Sequence, residues 1–231
     1  MIGVIVNTVA VLIGSLIGLL MKKGIPTRIS SSVMLAIGLC TLAIGIDGVL
    51  TGENALVLIM SMVLGIIVGE LLDLDGKVNR LVERVATKAA GAGKGAQIAQ
   101  AFITACLLWC IGAMTIVGSL NAGLNGDNEM LFTKSLLDFI SSIMLAASLG
   151  FGVLLASAFV FVFQGAIVLM AGMLAPILSD SVIAELVCAG SLMIVALGLN
   201  LIGVTKIKVI NFVPALLFVP FVCALMNFIG L

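Results

Sequence analysis

Eight stretches of this chain, each close to the length of a bilayer crossing, carry almost no charge. The hydrocarbon core of a membrane is about 30 Å thick and a helix rises about 1.5 Å per residue, so a crossing takes roughly 20 apolar residues. Segments of this kind run over Ile2–Met21, Ile29–Leu50, Ala55–Leu72, Ile98–Leu120, Thr133–Gly150, Val153–Ala175, Ser181–Gly203 and Phe212–Gly230. The fifth opens on Lys134 and contains Asp138, and only "GFG" separates it from the sixth. With 62% hydrophobic and 10% charged residues in 231, the solvent of this chain is lipid. The expected fold is all-α: a polytopic transmembrane helix bundle of about eight spans, forming a single integral-membrane domain over residues 1–231.

Eleven basic and eleven acidic side chains cancel, which leaves no basic field for nucleic acid. Their placement is more informative than their sum. Lys22, Lys23 and Arg28 follow span one; Lys77, Arg80, Arg84, Lys88 and Lys94 follow span three; Lys206 and Lys208 follow span seven. Eight crossings put ten of the eleven basic residues on one side, the cytoplasmic one, and leave only Lys134 apart. Both termini are then expected outside the cytoplasm. In "MIGVIVNTVAVLIGSLIGLLMKK" the charge follows the apolar run, so this reads as a retained first helix rather than a signal peptide.

The chain has no histidine, which removes the commonest zinc ligand and general base. No serine–lysine or paired-aspartate signature replaces it, and the chain is not expected to be an enzyme or to hold a cofactor. Cys40, Cys106, Cys110, Cys188 and Cys223 lie scattered in apolar runs and read as small hydrophobes. Cys106, Cys110 and Met114 fall at i, i+4 and i+8, a sulfur face of the kind copper(I) accepts, although ordinary packing explains it as well.

The loop "DLDGKVNRLVERVATKAAGAGKGAQ" sets Val78, Leu81, Val82 and Val85 at helical spacing, which predicts a cytoplasmic amphipathic helix with a flexible tail. Its "GAGKG" lacks the hydroxyl residue and the preceding strand of a phosphate loop. "GIPTRISSSVMLAIGLCTLAIGID" and "LAPILSDSVIAELVCAGSLMIVALGLN" both open on a proline turn with serine and close on glycine, an aliphatic residue and a short polar one. Five crossings apart, they run in opposite directions. Helices 1–3 and 6–8 are therefore expected to form an inverted repeat, as in many secondary transporters. This divides the chain into a first repeat (1–72), the amphipathic loop (73–97), a central broken-helix region (98–152) and a second repeat (153–231).

Polar residues inside apolar spans usually face protein or a wet cavity. Asn7, Asp47, Glu70, Gln164 and Asn200 are of this type, with helix packing or a solvated helix end as the alternative for each. In "CIGAMTIVGSLNAGLNGD" the glycines Gly112, Gly118, Gly123 and Gly126, with Ser119, Asn121 and Asn125, predict an opened backbone that is either a broken helix lining a cavity or an exterior loop. Asp127, Lys134 and Asp138 would stand beside it, the last two on one helix face. Glycines at 14 and 18 and at 65 and 69 predict close helix pairs, within one chain or in a homodimer.

Together, "NTVAVLIGSLIG", "LGIIVGELLDLDGKVNRL", "CIGAMTIVGSLNAGLNGD" with "TKSLLDFISS", and "LGLNLIG" with "INFVPALL" resemble the YqgA-like family of bacterial multi-pass inner-membrane proteins (domain of unknown function 554), over nearly the full length. The resemblance implies a protein of the bacterial cytoplasmic membrane and supplies no substrate. The residues themselves favour transport of a small ion or solute by alternating access, coupled to a cation or proton. An ion channel or a non-transporting assembly partner are the alternatives.

Overall fold

The computed structural model describes residues 1–22, 27–90 and 95–229, and among these it is helical without a strand. The helices are α1 (Ile2–Lys22), α2 (Thr27–Val49), α3 (Ala55–Leu71), α4 (Leu74–Ala90), α5 (Gly95–Cys110), α6 (Ala113–Leu124), α7 (Glu129–Leu149), α8 (Phe151–Leu169), α9 (Ala171–Leu174), α10 (Asp180–Leu201) and α11 (Ala215–Ile229). A 3-10 turn at Val209–Phe212 leads into α11. The all-α transmembrane architecture is thus as expected from the sequence.

Among the described residues, five helices are long and apolar enough to cross a membrane: Ile2–Met21, Glu129–Leu149, Phe151–Leu169, Asp180–Leu201 and Val209–Phe228. Two pairs bent by 60°, Ala55–Leu71 with Leu74–Val82 and Gly95–Cys110 with Met114–Leu124, raise the number to seven when each counts once. In α2 a shorter apolar stretch runs over Leu35–Val49. The amphipathic helix of the large loop forms as α4, with Val82 buried and Leu81 exposed. Residues 91–94, which carry most of "GAGKG" and the expected tail, lie outside the described residues, as does the Gly24–Pro26 turn of the first repeat.

The opened backbone is narrower than in the sequence reading, which named Gly112 and Gly126 but also the residues between them. Asn121 and Gly123 were expected to unwind, but α6 continues through them to Leu124, and the interruption falls at Ile111–Gly112. There the Trp109 carbonyl, released from the helix ladder, accepts the Thr115 hydroxyl at 2.8 Å, which keeps a buried backbone group bonded. Gly118 and Gly123 serve packing instead: a Cβ on Gly123 would collide with the Val168 carbonyl, and one on Gly118 would press on Leu131. The true turn is Asn125–Asn128, where Gly126 takes a left-handed φ of 71°.

The chain forms two compact units. One comprises Met1–Ile37 and Asn79–Leu174, the other Gly38–Val78 and Ala175–Leu231. In the first, Gly3, Gly14 and Gly18 of α1 lie against Leu131, Ser142 and Ala146 of α7 in equal steps, so the two helices run parallel with backbones nearly touching. Helix α8 runs antiparallel to α1, placing Gln164 near Asn7 and Gly165 near Met1. Helix α5 follows α8, with Gly152 against Ile98 and Ala101 and an edge-on contact between Phe102 and Phe159 at 5.9 Å.

In the second unit, α2 and α10 form an antiparallel seam in which Gly38 meets Ile202, Leu42 meets Gly198, Gly45 meets Val195 and Gly48 meets Ser191. Gly65 and Gly69 of α3 face Ala215 and Asn211 at the start of α11. Val57, Val182, Ala189, Val219, Val222, Cys223 and Met226 fill the core of this unit. Both spaced glycine pairs noted in the sequence are therefore used inside a single chain.

Candidate functional site

Helix α7 is built inside out relative to a soluble helix. Phe132, Leu136, Leu137, Ile140 and Met144 are exposed, while Lys134, Ser135, Asp138 and Ser142 are buried on the other face. A helix in lipid gains from this, since its apolar stripe meets hydrocarbon and its polar groups are covered by protein. Asp138 stands nine residues into α7, about 13 Å along its axis.

Two helices meet at this carboxylate and a third is joined to it through Asn7. The Lys134 ammonium, one turn earlier on α7, donates to Asp138 Oδ2 at 2.6 Å. Asn7 Nδ2 of α1 donates to the same oxygen at 3.0 Å and to Gln164 Oε1 of α8 at 3.2 Å. Asn7 and Gln164 are 0% exposed, Asp138 5% and Lys134 6%. Removing two charges from water costs several kcal/mol each, and only close pairing with added hydrogen bonds offsets it, as here. Ser135 and Ser142 donate to carbonyls of their own helix, and Trp109 Nε1 of α5 donates to Ser141 Oγ at 3.0 Å.

The cluster has open valences. Asn7 Oδ1 and Gln164 Nε2 are fully buried and have no hydrogen-bond partner among the described residues, nor do the hydroxyls of Ser15 and Ser119. Each buried unpaired group costs about 1–3 kcal/mol. One acceptor and one donor of the two amides are therefore left unsatisfied beside the Lys134–Asp138 ion pair.

The remaining sequence-derived residues fall elsewhere. Asp127 is exposed and accepts from Glu129 N at 3.0 Å, and Asn125 is exposed at the end of α6. Asn128, which the sequence reading passed over, joins this turn to α1 by accepting from Gly3 N at 2.9 Å, one turn from Asn7. Asn121 is half-buried on α6. In the second unit Asp47 is exposed, and Asn200 is engaged in closing the following loop, accepting from Thr205 Oγ1 and Ile207 N and donating to Ile207 O. Glu70 faces Lys208 at 3.9 Å with both side chains exposed. The break at Ile111–Gly112 sets Met114 on a different helix from Cys106 and Cys110, so the three sulfur atoms share no continuous face.

Glu185 and Asn211 are buried polar residues that the sequence reading did not single out. Glu185, 3% exposed, accepts from Glu53 N and Asn54 N at 2.7 Å and so holds the start of α3. Asn211, fully buried, accepts from Asp75 N at 2.7 Å. Glu185 was visible as a lone acid within "SVIAELVCAG"; Asn211 had no comparable signal.

Residues 2–224 match the family described as "Protein of unknown function (DUF554)". Among curated proteins the chain is similar to the "Uncharacterized membrane protein YdfK" of Bacillus subtilis (strain 168), 33% identical over 100% of this chain and 99% of that protein. It is also similar to the "Uncharacterized protein YqgA" of Escherichia coli (strain K12), 31% identical over 94% of this chain and 93% of that one. No solved structure matches it.

Proposed function

The chain belongs to the DUF554 family, and from this membrane-protein premise and the buried cluster on α1, α7 and α8 we propose a secondary transporter for a small ion or solute, working by alternating access. The observation that carries the reading is the Lys134–Asp138 pair, deep in an apolar helix and bonded to Asn7 with Gln164 beyond. Intramembrane charge is expensive, and a bundle that needed only adhesion would be served by its glycine seams. All four side chains of the cluster are buried, none more than 6% exposed. The 125–128 turn is tied to the first turn of α1 through Asn128.

Eight alternating crossings, with helices 1–3 and 6–8 as an inverted repeat, complete the proposal. Parallel α1 and α7 and antiparallel α2 and α10 are the directions such a count requires when each bent pair crosses once. Gly45 and Gly198, which the two repeat segments align, take matching places in the α2–α10 seam, each set against the other's helix. The Glu70–Lys208 contact is in keeping with the end of span three and the loop after span seven lying on one side, the cytoplasmic one in this topology. Under the proposal the protein sits in the bacterial cytoplasmic membrane with both termini outside the cytoplasm.

The test is solute flux in proteoliposomes. Asp138→Asn keeps the size and the hydrogen-bonding shape of the side chain and removes its charge. Flux is expected to fall about tenfold or more, equivalent to about 1.4 kcal/mol in the barrier; unchanged flux would take the cluster out of the mechanism.

A further inference from the structure

We propose that this site takes a small zwitterion, a solute carrying a cationic nitrogen and a carboxylate a few bonds apart, in preference to a lone ion; the inference rests on the transport reading above. The first argument is charge. Lys134 and Asp138 neutralise each other. Of the helices packed against α7, namely α1, α5, α6 and α8, only α1 has a charged side chain, Lys22 at its far end; the other titratable side chains on them are the thiols Cys106 and Cys110. Glu129 lies exposed at the first turn of α7. A lone cation on Asp138 would leave the Lys134 ammonium beside it without a counter-charge, and a lone anion on Lys134 would strand the carboxylate, in a setting where water cannot screen either. A zwitterion exchanges partners instead. Its carboxylate takes Lys134, its ammonium takes Asp138, and two ion pairs replace one at constant net charge. The four-carbon stem of lysine gives the ammonium the reach to part from Asp138 and admit the solute.

The second argument is the polarity of the unpartnered atoms. Gln164 Nε2 is a donor and suits a carboxylate; Asn7 Oδ1 is an acceptor and suits an ammonium. The two amides are already joined through Asn7 Nδ2 and Gln164 Oε1, which leaves those outer atoms as the pair that a bound dipole would satisfy. A site for an inorganic cation would present several oxygens and no lysine.

The test uses the full chain in lipid nanodiscs for thermal stabilisation and in proteoliposomes for uptake. The probes are glycine, L-alanine and glycine betaine, with ethylammonium chloride, sodium acetate and potassium chloride as lone-charge controls. At least one zwitterion is expected to raise the unfolding midpoint and to be taken up, with no effect from the controls at equal concentration. Lys134→Gln and Asp138→Asn are each expected to abolish the shift, and Lys134→Arg to retain it. Gln164→Leu leaves both charges in place and covers the case in which the charge variants fail to fold; it is expected to weaken zwitterion binding about tenfold or more, the loss of one hydrogen bond to a charged group. Uptake of a lone ion without any zwitterion would overturn this inference and leave the transport reading standing. No binding or uptake of any probe by the wild-type chain would overturn the inference and withdraw support from transport as well.

Discussion

The Lys134–Asp138 pair illustrates how little a single buried charge tolerates. Removing one partner leaves the other uncompensated in low dielectric, which costs about 3–5 kcal/mol, whereas replacing both by apolar residues is often close to neutral. Lys134→Leu and Asp138→Leu are therefore each expected to lower stability strongly, and the double variant to recover most of the loss; denaturant titration in micelles reads the non-additivity. Glu185 is a simpler case. Glu185→Ala would release the Glu53 and Asn54 amides that it holds at 2.7 Å and is expected to cost about 1.5–3 kcal/mol, seen as faster hydrogen exchange at the start of α3. At this scale the sequence marked the four members of the cluster one by one, since each is a polar residue in an apolar span. It did not mark their meeting. Asn7 and Gln164 are separated by 157 positions, and no spacing rule joins residues on different helices.

Glycine carries the prediction at the scale of the element. A Cβ on Gly18 would collide with the Ile143 carbonyl of α7, a backbone atom that cannot swing aside, while one on Gly172 would meet nothing within 4 Å. Gly18→Ala is expected to destabilise by about 1–3 kcal/mol and Gly172→Ala by little, as read from unfolding midpoints. Gly112 behaves like the second of these. Its φ of 164° is extended backbone open to any residue and its surroundings are empty, so Gly112→Ala is expected to stay within about 0.5 kcal/mol. The helices themselves were legible from apolar length, and α4 from its helical spacing. The opening was drawn too wide because Asn121 and Gly123 have the local chemistry of a turn, yet in α6 Gly123 gains a close approach to α8 that only a helix presents. Local preference is worth about 1 kcal/mol per glycine, and tertiary packing overrides it.

For the molecule in its membrane, the proposed topology predicts which surfaces face which compartment. In a cysteine-free background Asp127→Cys is expected to react with a membrane-impermeant thiol reagent added outside intact cells, and Lys77→Cys only after the cells are opened; both positions are exposed in the fold. The reverse pattern would invert the orientation, and labelling of both from one side would exclude the eight-crossing count.

The amino-acid sequence alone determined the solvent of this protein, because long uncharged runs are stable only in hydrocarbon, and hydrocarbon admits helices that satisfy their own backbone. Sequence also sufficed for the list of residues too polar for that solvent. Only the tertiary structure decided which of them share a site, since burial beside a partner depends on which helix faces meet. Asp138, Lys134, Asn7 and Gln164 came together because glycines let α1 lie almost against α7 and α8 packs on both, whereas Asp47 and Asp127 remained exposed.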